Sequence, residues 1–216
     1  MRFKQLVCFC CLLLGLSGGC CTTPSNLYFH KQAPIQYHDS GKYDLQVLRL
    51  AKRAMSYIHH RASSGEKNLA IVLDIDDTAL SSWDRLRTND FARKDELFVQ
   101  WVNAHSDPPI LPVLDLYRES KLLGLKVFFV SGRRAFLAQR TETTLQAAGY
   151  AQTDGIYLRP DNNKDPSLVA FKSSIRRQIS EQGFKIIANI GDQESDLAGG
   201  YAERAFKLPN PFYYTP

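Results

Sequence analysis

Short apolar runs that stop abruptly at polar residues recur along this sequence and constrain its fold more than any other feature. Three runs share this form, each followed by a polar residue or a glycine: Leu69–Leu73 before Asp74, Lys126–Val130 before Ser131, and Ile186–Ile190 before Gly191. Runs of this length and composition are typical of strands that are buried on both faces. Such strands occur where helices cover both sides of a sheet, so the runs predict an α/β protein.

Segments with helical periodicity separate the apolar runs. Apolar side chains recur at helical spacing from Tyr43, which predicts an amphipathic helix of roughly 18 residues. Further helices end at glycines, and two weaker strands complete the set: helices Val113–Leu123, Ala135–Ala148 and Ser167–Gln182, strands Gly155–Leu158 and Arg204–Leu208. This alternation predicts a Rossmann-like parallel sheet with helices on both faces, preceded by an N-terminal helical segment.

The polar residues that follow the strands are far apart in sequence but are predicted to meet. Ligands of such sheets bind just beyond the carboxyl ends of the strands. Asp74, Asp76, Ser131 and Asp192 all lie at those ends. The pattern therefore predicts that these side chains converge on one rim of the sheet.

Three carboxylates crowd into the segment Asp74–Thr78, directly after the first predicted strand. Like charges at this spacing repel one another and usually need a cation to offset them. Acidic residues are also common in loops, and Thr78 can simply cap the following helix with Asp77 beside it. The segment alone leaves both interpretations open.

Asp192 strengthens the metal interpretation, because it ends another strand and can face Asp74 across the rim. Carboxylates, a backbone carbonyl and water suit Mg²⁺, whereas zinc is disfavoured because none of the five histidines belongs to these clusters. Asp196 lies one helical turn beyond Asp192. It can orient a metal-bound water, or it can be a solvated residue in a first helical turn.

Ser131, Gly132 and Lys172 offer groups that suit a phosphate. A hydroxyl followed by a glycine amide at a strand end can cradle a phosphate oxygen. An isolated lysine such as Lys172 is more often a surface residue. It gains interest because a site that holds several carboxylates and a phosphate dianion needs a positive charge besides magnesium.

These segments together resemble the haloacid dehalogenase (HAD) superfamily in order and type. The resemblance to its four motifs is carried by Asp74–Thr78, by Ser131, by Lys172, and by Gly191-Asp192 with Asp196. The stretch Gly124–Arg133 and the terminal Phe206–Tyr214 narrow the resemblance to the acid phosphatase branch. That branch holds the plant class B acid phosphatases, the vegetative storage proteins and bacterial lipoprotein acid phosphatases. The similarity runs from about Tyr43 to the C-terminus.

The resemblance implies a HAD-like fold and a magnesium-dependent hydrolysis of phosphate monoesters. Asp74 would be the nucleophile that forms an aspartyl-phosphate. Asp76 would protonate the departing alcohol and then deprotonate the hydrolytic water. Mg²⁺ would be held by Asp74, by the backbone carbonyl of Asp76 and by Asp192.

The resemblance also assigns supporting roles around these carboxylates. Ser131, the amide of Gly132 and Lys172 would hold the phosphoryl oxygens. Asp196 and Thr78 would support the metal ligands from behind.

Several functional alternatives remain open at this stage. A non-catalytic surface or storage protein on the same fold is one, and a phosphotransferase to an alcohol acceptor is another.

The segment Trp83–Ile110 is short for a large cap domain, which implies a small cap or none and an open site. Nucleoside monophosphates are among the candidate substrates. Trp83 can stack on an aromatic leaving group or can pack in the core.

Composition indicates one folded domain and disfavours a nucleic-acid-binding role. The net charge is +5 over 216 residues, and no run of lysine or arginine forms a basic stripe. All five cysteines lie between Cys8 and Cys21, so the body of the chain has no disulfide framework.

The N-terminal residues predict export. Arg2 and Lys4 precede the apolar stretch Leu6–Leu16, which is too short for a comfortable membrane span. Residues 16–20 resemble a bacterial lipobox ending at Cys20, although Ser17 stands where an aliphatic residue is usual. An ordinary cleaved secretory peptide is the alternative. We therefore expect a signal peptide over residues 1–19, a tether or arm over residues 20–41 and the phosphatase domain over residues 42–216. A lipid on Cys20 would anchor the protein to a bacterial membrane. The expected location is the outer membrane or the periplasm.

Overall fold

Five parallel strands form one sheet in the computed structural model, which describes residues 26–162 and 167–215. The bounds of the strands are β1 Leu69–Leu73, β2 Lys126–Arg134, β3 Gly155–Arg159, β4 Lys185–Gly191 and β5 Arg204–Lys207. They follow the order β3-β2-β1-β4-β5 across the sheet. The central strand β1 therefore has β2 on one side and β4 on the other, and the carboxyl ends of all three meet at one edge.

The helices occupy the connections between the strands and the N-terminal part of the described chain. Their bounds are α1 Leu27–Asp39, α2 Lys42–Ala62, α3 Trp83–Thr88, α4 Asp95–Ala104, α5 Leu111–Leu122, α6 Ala138–Ala147, α7 Leu168–Glu181 and α8 Glu194–Leu197. A single 3₁₀ turn, Ala135–Leu137, leads into α6.

Alternate side chains of β1 enter two different cores, because successive residues of a strand point to opposite faces. Leu69, Ile71 and Leu73 pack in the larger core, which includes side chains of α2 and α5. Ala70 and Val72 pack in a second core with side chains of α7. The sheet is therefore covered on both faces, and the prediction of an α/β fold with a parallel sheet is confirmed.

Each predicted strand is present, and each predicted helix overlaps an observed one. The segment Trp83–Ile110 also contains the short helices α3 and α4, which the sequence pattern does not predict. Six residues are too few to show helical periodicity, and this explains why α3 escapes prediction.

Helix α1 lies within the range predicted to be a tether or arm. It packs on the domain, because the ring of His38 stacks on that of Trp83 with 3.6 Å between centroids. The predicted signal peptide and Cys20 lie outside the described residues, and the predicted domain limits stay predictions. No helix in the described ranges has the length and apolar content needed to cross a bilayer.

Candidate active site

A pocket of about 690 Å³ opens at the carboxyl ends of the central strands. Its lining includes carboxylates and phosphate-binding candidates from all four motifs: Asp74, Asp76, Ser131, Gly132, Lys172, Asp192 and Asp196. Asp74 follows β1 directly, Ser131 belongs to β2, and Asp192 follows β4. The structure therefore places these residues together at one edge of the sheet, as the sequence pattern predicts.

The turn after β1 separates the three neighbouring carboxylates into two kinds. Asp77 has a φ of 57° and is buried, and its side chain accepts hydrogen bonds from the hydroxyl and amide of Ser82 and from the hydroxyl of Tyr213, the last at 2.6 Å. These bonds hold the turn in place. Asp74 and Asp76 line the pocket. Of the three neighbouring carboxylates, Asp77 therefore stabilises the turn, whereas Asp74 and Asp76 face the pocket.

Lys172 lies between two buried carboxylates. Its Nζ donates to Oδ1 of Asp74 at 2.6 Å and to Oδ1 of Asp196 at 2.5 Å. Burial lowers the pKa of Lys172, but Asp74 and Asp196 outweigh burial and raise it, so the ammonium stays charged. Burial first, and Asp196 next, raise the pKa of Asp74 well above its ordinary value.

Asp196 is 3% exposed, which excludes the alternative of a solvated helix residue. Its Oδ2 accepts from the amide of Gln193 and completes a capping box at the start of α8, while its Oδ1 faces Lys172. A Cβ on Gly191 would lie 2.3 Å from the Cβ of Asp196, so only glycine fits there. Asp196 therefore fixes the position of Lys172.

Asp192 is oriented by three side chains. Thr78 donates to its Oδ1 at 3.0 Å, and Gln193 and Asn210 donate to its Oδ2 at 2.6 and 2.7 Å. Burial, followed by the nearby carboxylates of Asp196 and Asp77, raises the pKa of Asp192 to about 7. This carboxylate is held in position but forms no ion pair with a lysine or arginine among the described residues.

The carboxylate cluster has the chemistry of a site for a hard divalent cation. One oxygen each from Asp74, Asp192 and Asp196 lies within 4.8 Å of the others. Asp196 already pairs with the ammonium of Lys172 and caps α8, whereas the partners of Asp192 are neutral side chains, which makes Asp74 and Asp192 the better placed ligands. An oxygen-only donor set with excess negative charge fits such an ion and does not suit zinc.

Asp76 forms a bidentate ion pair that the motifs do not predict. Nε and Nη2 of Arg133 donate to its two carboxylate oxygens at 2.9 and 2.8 Å, and the Arg133 side chain is 1% exposed. Burial raises the pKa of Asp76, but the charge and hydrogen bonds of Arg133 outweigh burial and lower it. Asp76 is therefore a carboxylate in this arrangement. The one sequence signal for Arg133 is its position just after the Ser131-Gly132 pair.

Ser131 and Gly132 belong to β2 and line the pocket on the other side of β1 from Asp192, which follows β4. Ser131 is buried, and its Oγ accepts from the amide of Arg133 at 3.2 Å. A Cβ on Gly132 would lie 3.1 Å from a methyl group of Leu168, so a side chain there would crowd α7. The backbone of Gly132 is thus open to the pocket.

Trp83 is half-buried, packs against the larger core and is absent from the pocket lining. Its ring stacks on His38 and lies 5.1 Å from the ring of Phe212 and 6.2 Å from that of Phe91. Of the two alternatives left open by the sequence, core packing is therefore the one observed.

The arrangement of Asp74, Lys172 and Asp192 at the ends of parallel strands defines the class of protein. It is a HAD-type hydrolase, in which the nucleophile candidate follows β1. The family model described as HAD superfamily, subfamily IIIB (acid phosphatase), matches residues 25–216, and the chain belongs to that family. It is a phosphoric monoester hydrolase of the acid phosphatase type. Its substrates are small phosphate esters, and the superfamily generally uses a divalent metal ion.

Relatives of known name support this assignment. Acid phosphatase 1 of Solanum lycopersicum is 31% identical over 83% of this chain and 72% of its own length. The stem 28 kDa glycoprotein of Glycine max is 31% identical over 90% of this chain and 74% of its own. Vegetative storage protein 1 of Arabidopsis thaliana is 29% identical over 90% of this chain and 73% of its own.

A solved structure shows the same fold. The class C acid phosphatase from Bacillus anthracis superposes with a TM-score of 0.70 at 20% identity, over 85% of this chain and 84% of that chain.

Proposed function

We propose that this protein is a magnesium-dependent acid phosphatase that hydrolyses phosphate monoesters through an aspartyl-phosphate on Asp74. The observation that carries the proposal is the placement of Asp74, Lys172 and Asp192 within one pocket at the ends of β1 and β4. A nucleophile, a buried cation and a second metal-binding carboxylate are the groups that this reaction needs.

Asp74 attacks phosphorus from the floor of the pocket. Lys172 neutralises part of the charge that would otherwise repel the phosphate dianion from this carboxylate. Asp74, the backbone carbonyl of Asp76 and Asp192 would hold Mg²⁺, which supplies further positive charge for the phosphoryl oxygens. The hydroxyl of Ser131 and the amide of Gly132 bind those oxygens on the other side.

Asp76 serves as the acid and base on the leaving-group side. Its ion pair with Arg133 favours the carboxylate, the form that removes a proton from the hydrolytic water. For the first step Asp76 must carry a proton. We infer that the Arg133 pair loosens when substrate binds, because the phosphoryl group brings negative charge that competes for the guanidinium.

Hydrolysis of an aryl phosphate with and without chelator tests the proposal. We expect phosphate release in the presence of Mg²⁺ and its loss on chelation. Nucleoside monophosphates belong in the same screen as candidate substrates. Turnover that is unchanged after complete removal of divalent ions would refute the metal requirement.

Replacing Arg133 by Met is expected to weaken both the fold and the reaction. Removing one partner of a buried pair leaves Asp76 uncompensated, so we expect a loss of about 3 kcal/mol in the free energy of unfolding. With the carboxylate no longer positioned, kcat/KM should fall about 10²-fold. Urea denaturation and initial rates measure the two effects. Arg177→Met, which removes an arginine whose side chain is 57% exposed, is the control; equal stability of the two variants would contradict the prediction.

A storage role on the same fold is the second candidate, because vegetative storage proteins match the chain about as well as an acid phosphatase does. The complete pocket favours catalysis. Absence of turnover on every phosphomonoester, with Mg²⁺ shown to bind, would favour storage.

We also propose that the protein is exported and carries a lipid on Cys20. The charged and apolar N-terminal stretch and the lipobox-like residues support the proposal, and soybean relatives are named as glycoproteins, as expected of exported chains. Metabolic labelling with a fatty acid should be lost in Cys20→Ala and kept in Cys21→Ala. Label that persists in Cys20→Ala would refute the assignment.

A further inference from the structure

The segment between the first two motifs places a buried arginine in the pocket wall. Arg85, on the short helix α3, lines the pocket although the residue as a whole is 6% exposed. Its Nε is buried and has no hydrogen-bond partner. No carboxylate of the described residues forms an ion pair with its guanidinium, which contacts the ring of Phe98 at 5.0 Å from Cζ to centroid. A buried guanidinium without such a partner is costly unless a ligand supplies one.

The neighbouring cations of this wall have different surroundings. The guanidinium of Arg133 lies over the same Phe98 ring, with 5.7 Å from Cζ to the centroid. It already donates to both carboxylate oxygens of Asp76. Arg93 donates to the backbone oxygen of Tyr214 and to the hydroxyl of Thr215, at 3.0 and 2.7 Å. Among these three arginines, Arg85 is the one whose hydrogen-bonding capacity is left for a ligand.

Arg85 lies on the leaving-group side of the site. Arg85 and Arg133 both lie over the ring of Phe98, and Arg133 binds Asp76, so Arg85 lies on the Asp76 side of the pocket. Asp76 is the group that protonates the departing alcohol. With the transferred phosphoryl group over Asp74 and Lys172, a group on that alcohol would point toward the part of the pocket wall that Arg85 forms.

We propose that Arg85 binds an anionic group on the alcohol part of the substrate, so that the enzyme prefers phosphomonoesters whose leaving group bears a carboxylate or a second phosphate. The preference rests on the proposed phosphatase function and specifies its substrate class. A planar guanidinium matches both anions, because its fork of N–H donors binds two oxygens at once. Binding energy from such a remote group raises kcat/KM.

Three esters test the proposal with the wild-type protein and Mg²⁺. They are 4-carboxyphenyl phosphate, 1,4-phenylene bisphosphate, corrected for its two equivalent esters, and the neutral 4-carbamoylphenyl phosphate. We expect kcat/KM to be about tenfold higher for at least one anionic ester than for the carboxamide, as for a hydrogen bond to a charged group. The carboxylate and the bisphosphate arms show which anion is preferred. Equal values for all three esters overturn the proposal and leave the phosphatase function standing, whereas no turnover of any ester overturns that function itself.

Variants of α3 then locate the preference. In Arg85→Gln the ratio of kcat/KM for the preferred anionic ester to that for the carboxamide should fall about tenfold, and Arg85→Lys should retain part of it. Arg87→Gln is the matched control, since Arg87 is an exposed arginine of the same helix outside the pocket lining. An equal loss on all three esters in Arg85→Gln would mean that Arg85 acts only on neighbouring carboxylates such as Asp76 and does not bind the leaving group. That result would overturn the proposal.

Discussion

Asp74→Asn should abolish phosphatase activity, with a fall in kcat of at least about 10⁴-fold. The amide keeps the size of the carboxylate but lacks its nucleophilicity, so the aspartyl-phosphate cannot form. The fold should be unharmed. Burial and Asp196 raise the pKa of Asp74, which means that its ionised form is disfavoured in the folded protein. A neutral amide avoids the cost of burying this charge beside Asp196, and its oxygen can still accept from Lys172, so thermal unfolding should occur at or above the wild-type temperature.

Asp84→Asn is the control for this result, because Asp84 is an exposed acid on α3 outside the pocket lining. Its activity and stability should match those of the wild type. Activity of Asp74→Asn above about one per cent of wild type, in protein freed of host phosphatases, would contradict the assignment of the nucleophile.

Loss of the divalent ion is expected to have the second largest effect. Among the described residues, the buried cluster of Asp74, Asp192 and Asp196 is paired with one cation, Lys172, and burial together with the neighbouring carboxylates raises the pKa of Asp192 to about 7. Chelation should therefore reduce turnover at least about 10²-fold, and Mg²⁺ should restore it. Asp192→Asn should reduce turnover about as much as chelation does. The loss should be seen at the Mg²⁺ concentrations that support turnover by the wild type.

Asn210 offers a graded version of the same test. Its Nδ2 donates to Asp192 at 2.7 Å, so Asn210→Ala frees the carboxylate to rotate. The Mg²⁺ concentration for half-maximal rate should rise about tenfold in this variant, as for other residues that orient a metal ligand. Glu194→Gln is the control, because the Glu194 side chain is 72% exposed. Identical Mg²⁺ requirements for Asn210→Ala, Asp192→Asn and wild type would contradict the proposed ligand set.

The sheet and the placement of the motif residues follow from local sequence patterns. Strands buried on both faces appear as apolar runs, and parallel strands bring their carboxyl ends to one edge. Knowing Leu69–Leu73 and Ile186–Ile190 as strands is therefore enough to bring Asp74 near Asp192. The resemblance to the HAD motifs then distinguishes the nucleophile from its neighbours, which spacing alone does not do.

The partners of these residues were not predictable in the same way. Arg133 and Asp76 are 57 positions apart, and Tyr213 and Asp77 are 136 apart. Such contacts depend on side-chain direction and on how the connecting segments fold, and no periodic pattern encodes either. Arg85 escaped for a related reason: its helix α3 is six residues long, and nothing local distinguishes a buried arginine from an exposed one.

Trapping the covalent intermediate is the most direct test of the central claim. The protein is mixed with a ³²P-labelled aryl phosphate and Mg²⁺, quenched in acid within milliseconds, digested and mapped. Label should appear on the peptide that contains Asp74, should be released by hydroxylamine as an acyl phosphate, and should be missing in Asp74→Asn. Label on any other residue, or rapid turnover with no covalent label at any quench time, would contradict the mechanism.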